Sequence, residues 1–151
     1  APGPLPRETD GVTGPRSDGP YRPSKDEREQ RIAAIDIGSN SIRQIVADVS
    51  PDGTIRVVDE MKAAPRLGAG LGESGKLEDA NTDAAVEALT RMATLARQLG
   101  AKRIEAVATS AVRDASNGQA FLARLRREAG LRPRILDGDE EARLAFRSAL
   151  A

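Results

Sequence analysis

Ile32-Ala33-Ala34-Ile35-Asp36-Ile37-Gly38-Ser39-Asn40-Ser41 decides how this chain is read. The run from Ile32 to Gly38 is apolar except for Asp36 near its end. It gives way to a turn-forming Gly38–Ser41. A short apolar run bounded by a turn is a buried strand followed by a tight reversal. Beyond the turn, Ile42 to Val49 reads as a second strand. Pro51-Asp52-Gly53 marks another turn, and Thr54 to Met61 reads as a third strand. Three short strands joined by tight turns predict an antiparallel meander.

Downstream the period changes. Pro65 to Gly75 is a glycine-rich loop (Gly68, Gly70, Gly72, Gly75). Asp79 to Leu99 carries Ala85, Val86, Leu89, Met92, Ala93, Ala96 and Leu99 at helical spacing. Gly100 stops that helix. Arg103 to Thr109 is a fourth strand. Ala111 to Ala129 is a second helical region, interrupted near Asn117-Gly118, with Phe121, Leu122, Leu125 and Ala129 on its face. Gly130 ends it, Arg134 to Leu136 is a short fifth strand, and Glu140 to Leu150 opens a third helix. The order β-β-β-α-β-α-β-α describes an α/β fold with a five-stranded mixed sheet. Strands separated by helices run parallel through right-handed crossovers, so strands one, four and five share a direction. No internal repeat is visible.

Upstream, residues 1–31 read as a disordered Pro/Gly-rich tail. Six of the nine prolines lie there, and apolar side chains are too sparse to offset the entropy of ordering. It lacks the apolar core of a secretory signal. The 151 residues suit one domain at 32–151 plus this tail. Without cysteine or histidine, thiol nucleophiles, zinc-thiolate sites, Ser-His-Asp catalysis and imidazole ligation are excluded. The 23 basic and 23 acidic side chains cancel, and aromatics are 2%, which argues against a nucleic-acid partner. No apolar run approaches a membrane span.

Ligands of open α/β sheets sit beyond the carboxyl ends of parallel strands. Three such ends are readable. The first bears Asp36 and Gly38-Ser39-Asn40-Ser41, the fourth Thr109-Ser110 and then Arg113, the fifth Gly138-Asp139-Glu140-Glu141. Each piece has two readings. The turn is an ordinary hairpin, or a cradle of N–H groups and hydroxyls for phosphate. Asp36 satisfies turn amides, or holds a hard cation such as Mg²⁺. Arg113 is a surface arginine, or an anion ligand near a helix start. The acids at 139–141 complement a helix dipole, with Asp137 and Glu140 fitting a capping box, or they supply a catalytic carboxylate. The loop Gly68-Ala69-Gly70-Leu71-Gly72 opens no helix at once and is no dinucleotide fingerprint.

Together, AAIDIGSNSIR (33–43), RLGAGL (66–71), AVATSAVRDASN (106–117) and DGDEEARLAF (137–146) resemble the N-terminal half of exopolyphosphatase/guanosine pentaphosphate phosphatases. The likeness runs in order from about Ile32 to Leu150. It implies a ribonuclease-H-like half of the actin-like ATPase superfamily, with a cleft between two such halves. It implies hydrolysis of a terminal phosphoanhydride of polyphosphate or guanosine pentaphosphate with Mg²⁺, in the cytoplasm, with a homodimer as an expected assembly. By the family pattern, Asp36 meets the metal; Gly38, Ser39, Asn40, Ser41 and Arg113 bind substrate phosphate; Glu141 is the general base. Two other readings are a phosphate- or nucleotide-binding module without catalysis and an actin-like or sugar-kinase relative.

Three departures stand out. Gln44 occupies a strand position where the family has an apolar residue, and is expected to face solvent or a loosely packed sheet face. Ala120 stands where the family often has an acid, so Asn117 lacks its reciprocal capping partner. The family's second glycine-rich phosphate loop has no counterpart before Ala151, so this chain alone is expected to be inactive.

Overall fold

The computed structural model describes residues 29–137. The helix expected over 140–150, the acids at 139–141 and the tail up to Arg28 lie outside the described residues. β1 (Gln30–Ile37), β2 (Ile42–Val49) and β3 (Ile55–Ala63) form the expected meander. The short α1 (Leu71–Ser74) falls within the glycine loop, and α2 (Asp79–Gln98) follows it. β4 (Arg103–Ala108), α3 (Ser110–Asp114), α4 (Gly118–Glu128) and β5 (Arg134–Ile135) complete the order. The sheet order is β3-β2-β1-β4-β5, with β1, β4 and β5 parallel. This is the mixed five-stranded sheet that the order of strands and helices predicts.

Alternation decides the faces. Ile35 and Ile37 of β1 and Ile42 of β2 share one buried cluster with Leu89 and Met92 of α2 and Phe121 and Leu125 of α4. A side chain such as Leu89, fully buried, contributes on the order of 2 kcal/mol. α2 buries the stripe expected of it, with Leu99 only half-buried. It ends at Gly100, whose φ of 83° lies in the left-handed region. There Ala101 N–H reaches back to Ala96 C=O at 2.9 Å. No helix among the described residues is long and apolar enough to cross a membrane.

Gln44 corrects an expectation. It is fully buried, on the same side of β2 as Ile42 and Val46, and its Nε2 donates to Met92 C=O at 2.9 Å. Parity along the strand overrides polarity: a residue two positions from Ile42 must face the helices. The bond to α2 satisfies the amide nitrogen. Its Oε1 is buried without a hydrogen-bond partner among the described residues, a loss of about 1–3 kcal/mol.

β1 begins at Gln30, two residues before the expected Ile32, because Arg31 is anchored. Its Nε and Nη2 donate to the two carboxylate oxygens of Asp48 at 2.9 and 3.0 Å, and its Nη1 to Leu99 C=O at 2.9 Å. Arg56 adds a further bond to Asp48 at 2.9 Å. The Arg31 bonds, outweighing burial, hold the Asp48 carboxyl below the usual carboxylate range. Strands β1, β2 and β3 are thereby stapled to the end of α2, at the edge opposite the parallel-strand ends.

Candidate active site

The parallel register brings the strand ends together. Ile37 lies beside Ala108, and Ala108 beside Ile135. Thr109 N–H donates to Ile37 C=O at 3.2 Å, and Leu136 N–H to Ala108 C=O at 2.9 Å, so the three strands finish level. Asp36, half-buried, lies between Ile35 and Ile37 in sequence and therefore faces away from α2 and α4.

The β1–β2 turn is closed by Gly38 N–H donating to Ser41 C=O at 3.0 Å. A Cβ at Gly38 would lie 2.9 Å from that same carbonyl oxygen, so the reversal needs glycine. The carbonyls of Ser39 and Asn40 are engaged by the N–H groups of Gly68 at 2.9 Å and Arg66 at 3.2 Å. Two oxygens that would repel an anion are thus turned onto a second loop. Gly68 permits this: its added Cβ would stand 3.0 Å from Ser39 Cβ. Ser39 Oγ also meets Ser110 Oγ at 3.1 Å, tying the turn to the first residue of α3.

Arg113 lies one turn later in α3. Its Nε donates to Asp114 at 3.1 Å, and its Nη1 donates to Leu136 C=O at 3.2 Å and lies 3.8 Å from Asp137. The guanidinium therefore ties α3 to the chain just past β5. α3 itself is held in place by α4. Gly118 is buried, and a Cβ there would collide with Val112 C=O, so α4 starts hard against α3. Asn117, at the head of α4, makes no capping bond with its side chain. Its amide instead clasps the backbone of Leu77, accepting from N–H at 2.8 Å and donating to C=O at 3.0 Å.

Of the residues picked from sequence, Asp36, Gly38, Ser39, Asn40, Ser41 and Arg113 belong to segments that end at this edge; Glu141 lies outside the described residues. The loop at 66–68 and Thr109–Ser110 belong to the edge as well, although the glycine loop carries no nucleotide fingerprint. Gly68, a glycine required for close approach, was the available signal. Among the described residues no three acidic side chains cluster to hold a metal. Asp36 brings a carboxylate, an oxygen ligand, to the end of β1. That fits Mg²⁺, which takes one or two carboxylates and completes its shell with water and substrate phosphate.

Comparison with known proteins agrees with this architecture. Exopolyphosphatase 1 of Mycobacterium bovis is 34% identical over 116 residues, covering 77% of this chain and 34% of that protein. The guanosine-5'-triphosphate,3'-diphosphate pyrophosphatase of Photobacterium profundum is 31% identical over 115 residues, covering 76% and 23%. The chain thus spans about a third or less of the length of these relatives. The crystal structure of the Aquifex aeolicus Ppx/GppA family member superposes with a TM-score of 0.71 at 33% identity, over 75% of this chain and 37% of that one. The fold is thus the ribonuclease-H-like type of the actin-like ATPases. The profile of the Ppx/GppA phosphatase family matches residues 44–151, and the chain belongs to that family.

Proposed function

We propose that this chain forms one wall of a phosphoanhydride hydrolase that removes the terminal phosphate of inorganic polyphosphate or guanosine pentaphosphate. The observation that carries the reading is the level finish of β1, β4 and β5, with the Gly38–Ser41 turn bonded to Ser110 and Arg113 beside Leu136. Relatives named as exopolyphosphatase and as guanosine pentaphosphate pyrophosphatase support the substrate class. Cytoplasmic residence and a homodimer belong to the same reading.

Phosphoryl transfer is mainly positioning and charge stabilisation. Ser39, Asn40 and Ser41 offer hydroxyls, an amide and N–H groups to the phosphate oxygens, while Gly38 keeps the turn tight. Arg113 takes charge from the equatorial oxygens. Glu141 accepts a proton from the attacking water. The water oxygen bonds to the terminal phosphorus as the bridging P–O bond breaks, and the shortened chain leaves. Asp36 would hold Mg²⁺, directly or through water, and the ion would neutralise phosphate charge.

The test is phosphate release by the full-length protein with Mg²⁺, polyphosphate and guanosine pentaphosphate side by side. Glu141→Gln is expected to lower turnover by roughly 10²–10⁴-fold with binding little changed. Unchanged turnover removes Glu141 from the role, and release from neither substrate refutes the reading.

A further inference from the structure

Two hydroxyls face one another at the strand ends. Ser39 Oγ lies 3.1 Å from Ser110 Oγ, and both residues are half-buried. Each hydroxyl holds one proton and can also accept. One oxygen therefore donates and the other accepts, and the direction decides what the pair offers a ligand. If Ser39 donates to Ser110, the Ser39 proton is spent and the turn presents only lone pairs to an anion. If Ser110 donates to Ser39, the Ser39 proton is free to point at a phosphate oxygen.

The Ser39 side chain has little room to turn elsewhere. Gly68 N–H holds its carbonyl at 2.9 Å. Gly68 also packs so closely that an added Cβ would stand 3.0 Å from Ser39 Cβ and 3.6 Å from Ser39 Oγ. Ser110 closes the other side. Helix capping does not claim the Ser110 hydroxyl. The cap position of α3 belongs to Thr109, which makes no side-chain cap bond and directs its own hydroxyl to Ile37 C=O at 3.4 Å.

Ser110 lies three residues before Arg113, so the two share one face of α3, while Ala111 and Val112 between them are buried. One short helix thus brings a hydroxyl to the Gly38–Ser41 turn and a guanidinium to the same edge. The gain from holding a hydroxyl can be bounded. An unheld hydroxyl has three staggered positions, so fixing one is worth about threefold in affinity. Hydroxyls in series also polarise one another, which makes the outer one a stronger donor than a lone serine.

We propose that Ser110 is a positioning residue for the substrate: its hydroxyl donates to Ser39 Oγ and turns the Ser39 proton toward the bound phosphate. The inference rests on the hydrolase reading above and adds to it a residue that acts through Ser39 and touches no phosphate itself. The pair orients a donor; no proton is transferred along it.

The test is a double-mutant cycle in the full-length protein: Ser39→Ala, Ser110→Ala and the two together. Polyphosphate and guanosine pentaphosphate serve as probes, in equilibrium binding and in turnover with Mg²⁺. Ser39→Ala removes a hydrogen bond to a charged group and should weaken binding roughly tenfold or more. Ser110→Ala should weaken it about three- to tenfold. KM rises while kcat changes little, because the phosphate carries its charge before the reaction as well as during it. In the Ser39→Ala background, Ser110→Ala should alter binding by less than about twofold. Ser110→Thr, which keeps the hydroxyl, should restore most of the loss. Three outcomes overturn the proposal: a Ser110→Ala variant that binds as tightly as the wild type or tighter, a Ser110→Ala loss undiminished in the Ser39→Ala background, or a larger loss from Ser110→Ala than from Ser39→Ala. Absence of turnover on both substrates would refute the hydrolase reading instead, with the binding cycle still deciding the role of Ser110.

Discussion

Asn117→Ala should loosen the joint that carries Arg113. The wild-type amide makes two bonds to the backbone of Leu77, 40 residues away, at 2.8 and 3.0 Å. Leu77 is itself buried, at 2% exposure. Alanine removes both partners and supplies no substitute, so an N–H and a C=O lose their bonds where water enters poorly. Each orphaned group costs about 1–3 kcal/mol, and part of that is recovered if water reaches the site. The net loss is about 2–4 kcal/mol. No capping energy enters this sum, because the side chain does not bond to the first turn of α4. With a urea dependence of about 2 kcal/mol per molar, the midpoint falls by roughly 1–2 M. Urea unfolding of the full-length protein gives the global value, and hydrogen exchange at the Leu77 amide gives the local one. A midpoint unchanged within error, or a Leu77 amide as protected as in the wild type, would refute the reasoning.

Two further outcomes concern stability. Gly118→Ala should destabilise the protein although alanine is the better helix former by about 1 kcal/mol, since its Cβ must collide with Val112 C=O. An overpacking cost of about 1–3 kcal/mol at a backbone contact outweighs that gain, and a higher melting temperature would count against the tight α3–α4 junction. Asp48→Asn should be less stable than wild type at neutral pH, and the gap should close in acid. The carboxyl of Asp48 is held below its ordinary value mainly by the Arg31 bonds. Its stabilisation is therefore complete above the unfolded pKa of about 3.9 and is lost as pH falls through the lower folded value. Urea midpoints from pH 7 to pH 3 read this directly, and a gap that stays constant below about pH 4 would contradict it.

What could be read from residue order, and what could not, divides by the range of the interaction. Strand and helix identities depend on periods of two and 3.6, which are local, and the parallel ends of β1, β4 and β5 come from connection rules. That is why Asp36, the Gly38–Ser41 turn and Arg113 could be assigned to one edge from sequence. Gln44 misled because polarity was weighed one residue at a time, whereas its neighbours Ile42 and Val46 already fixed the face. Asn117 misled for a different reason. Beside Gly118 it reads as a helix cap, and only a chain folded back on Leu77 offers its amide a better pair of bonds. Gly68 shows the same limit: its value lies in a 3.0 Å approach to Ser39, a tertiary fact invisible in the loop's own spacing. The edge is thus positioned by contacts that local patterns cannot carry. Asn117 holds the α3–α4 joint to Leu77, Gly118 presses α4 onto Val112, and Gly68 seats its loop against the turn. These residues make no claim to chemistry, yet substitutions at them would displace Arg113 and Ser39 relative to one another. Residues chosen only for their acid–base or charge character would leave out the contacts that decide whether such character meets a substrate in the right place.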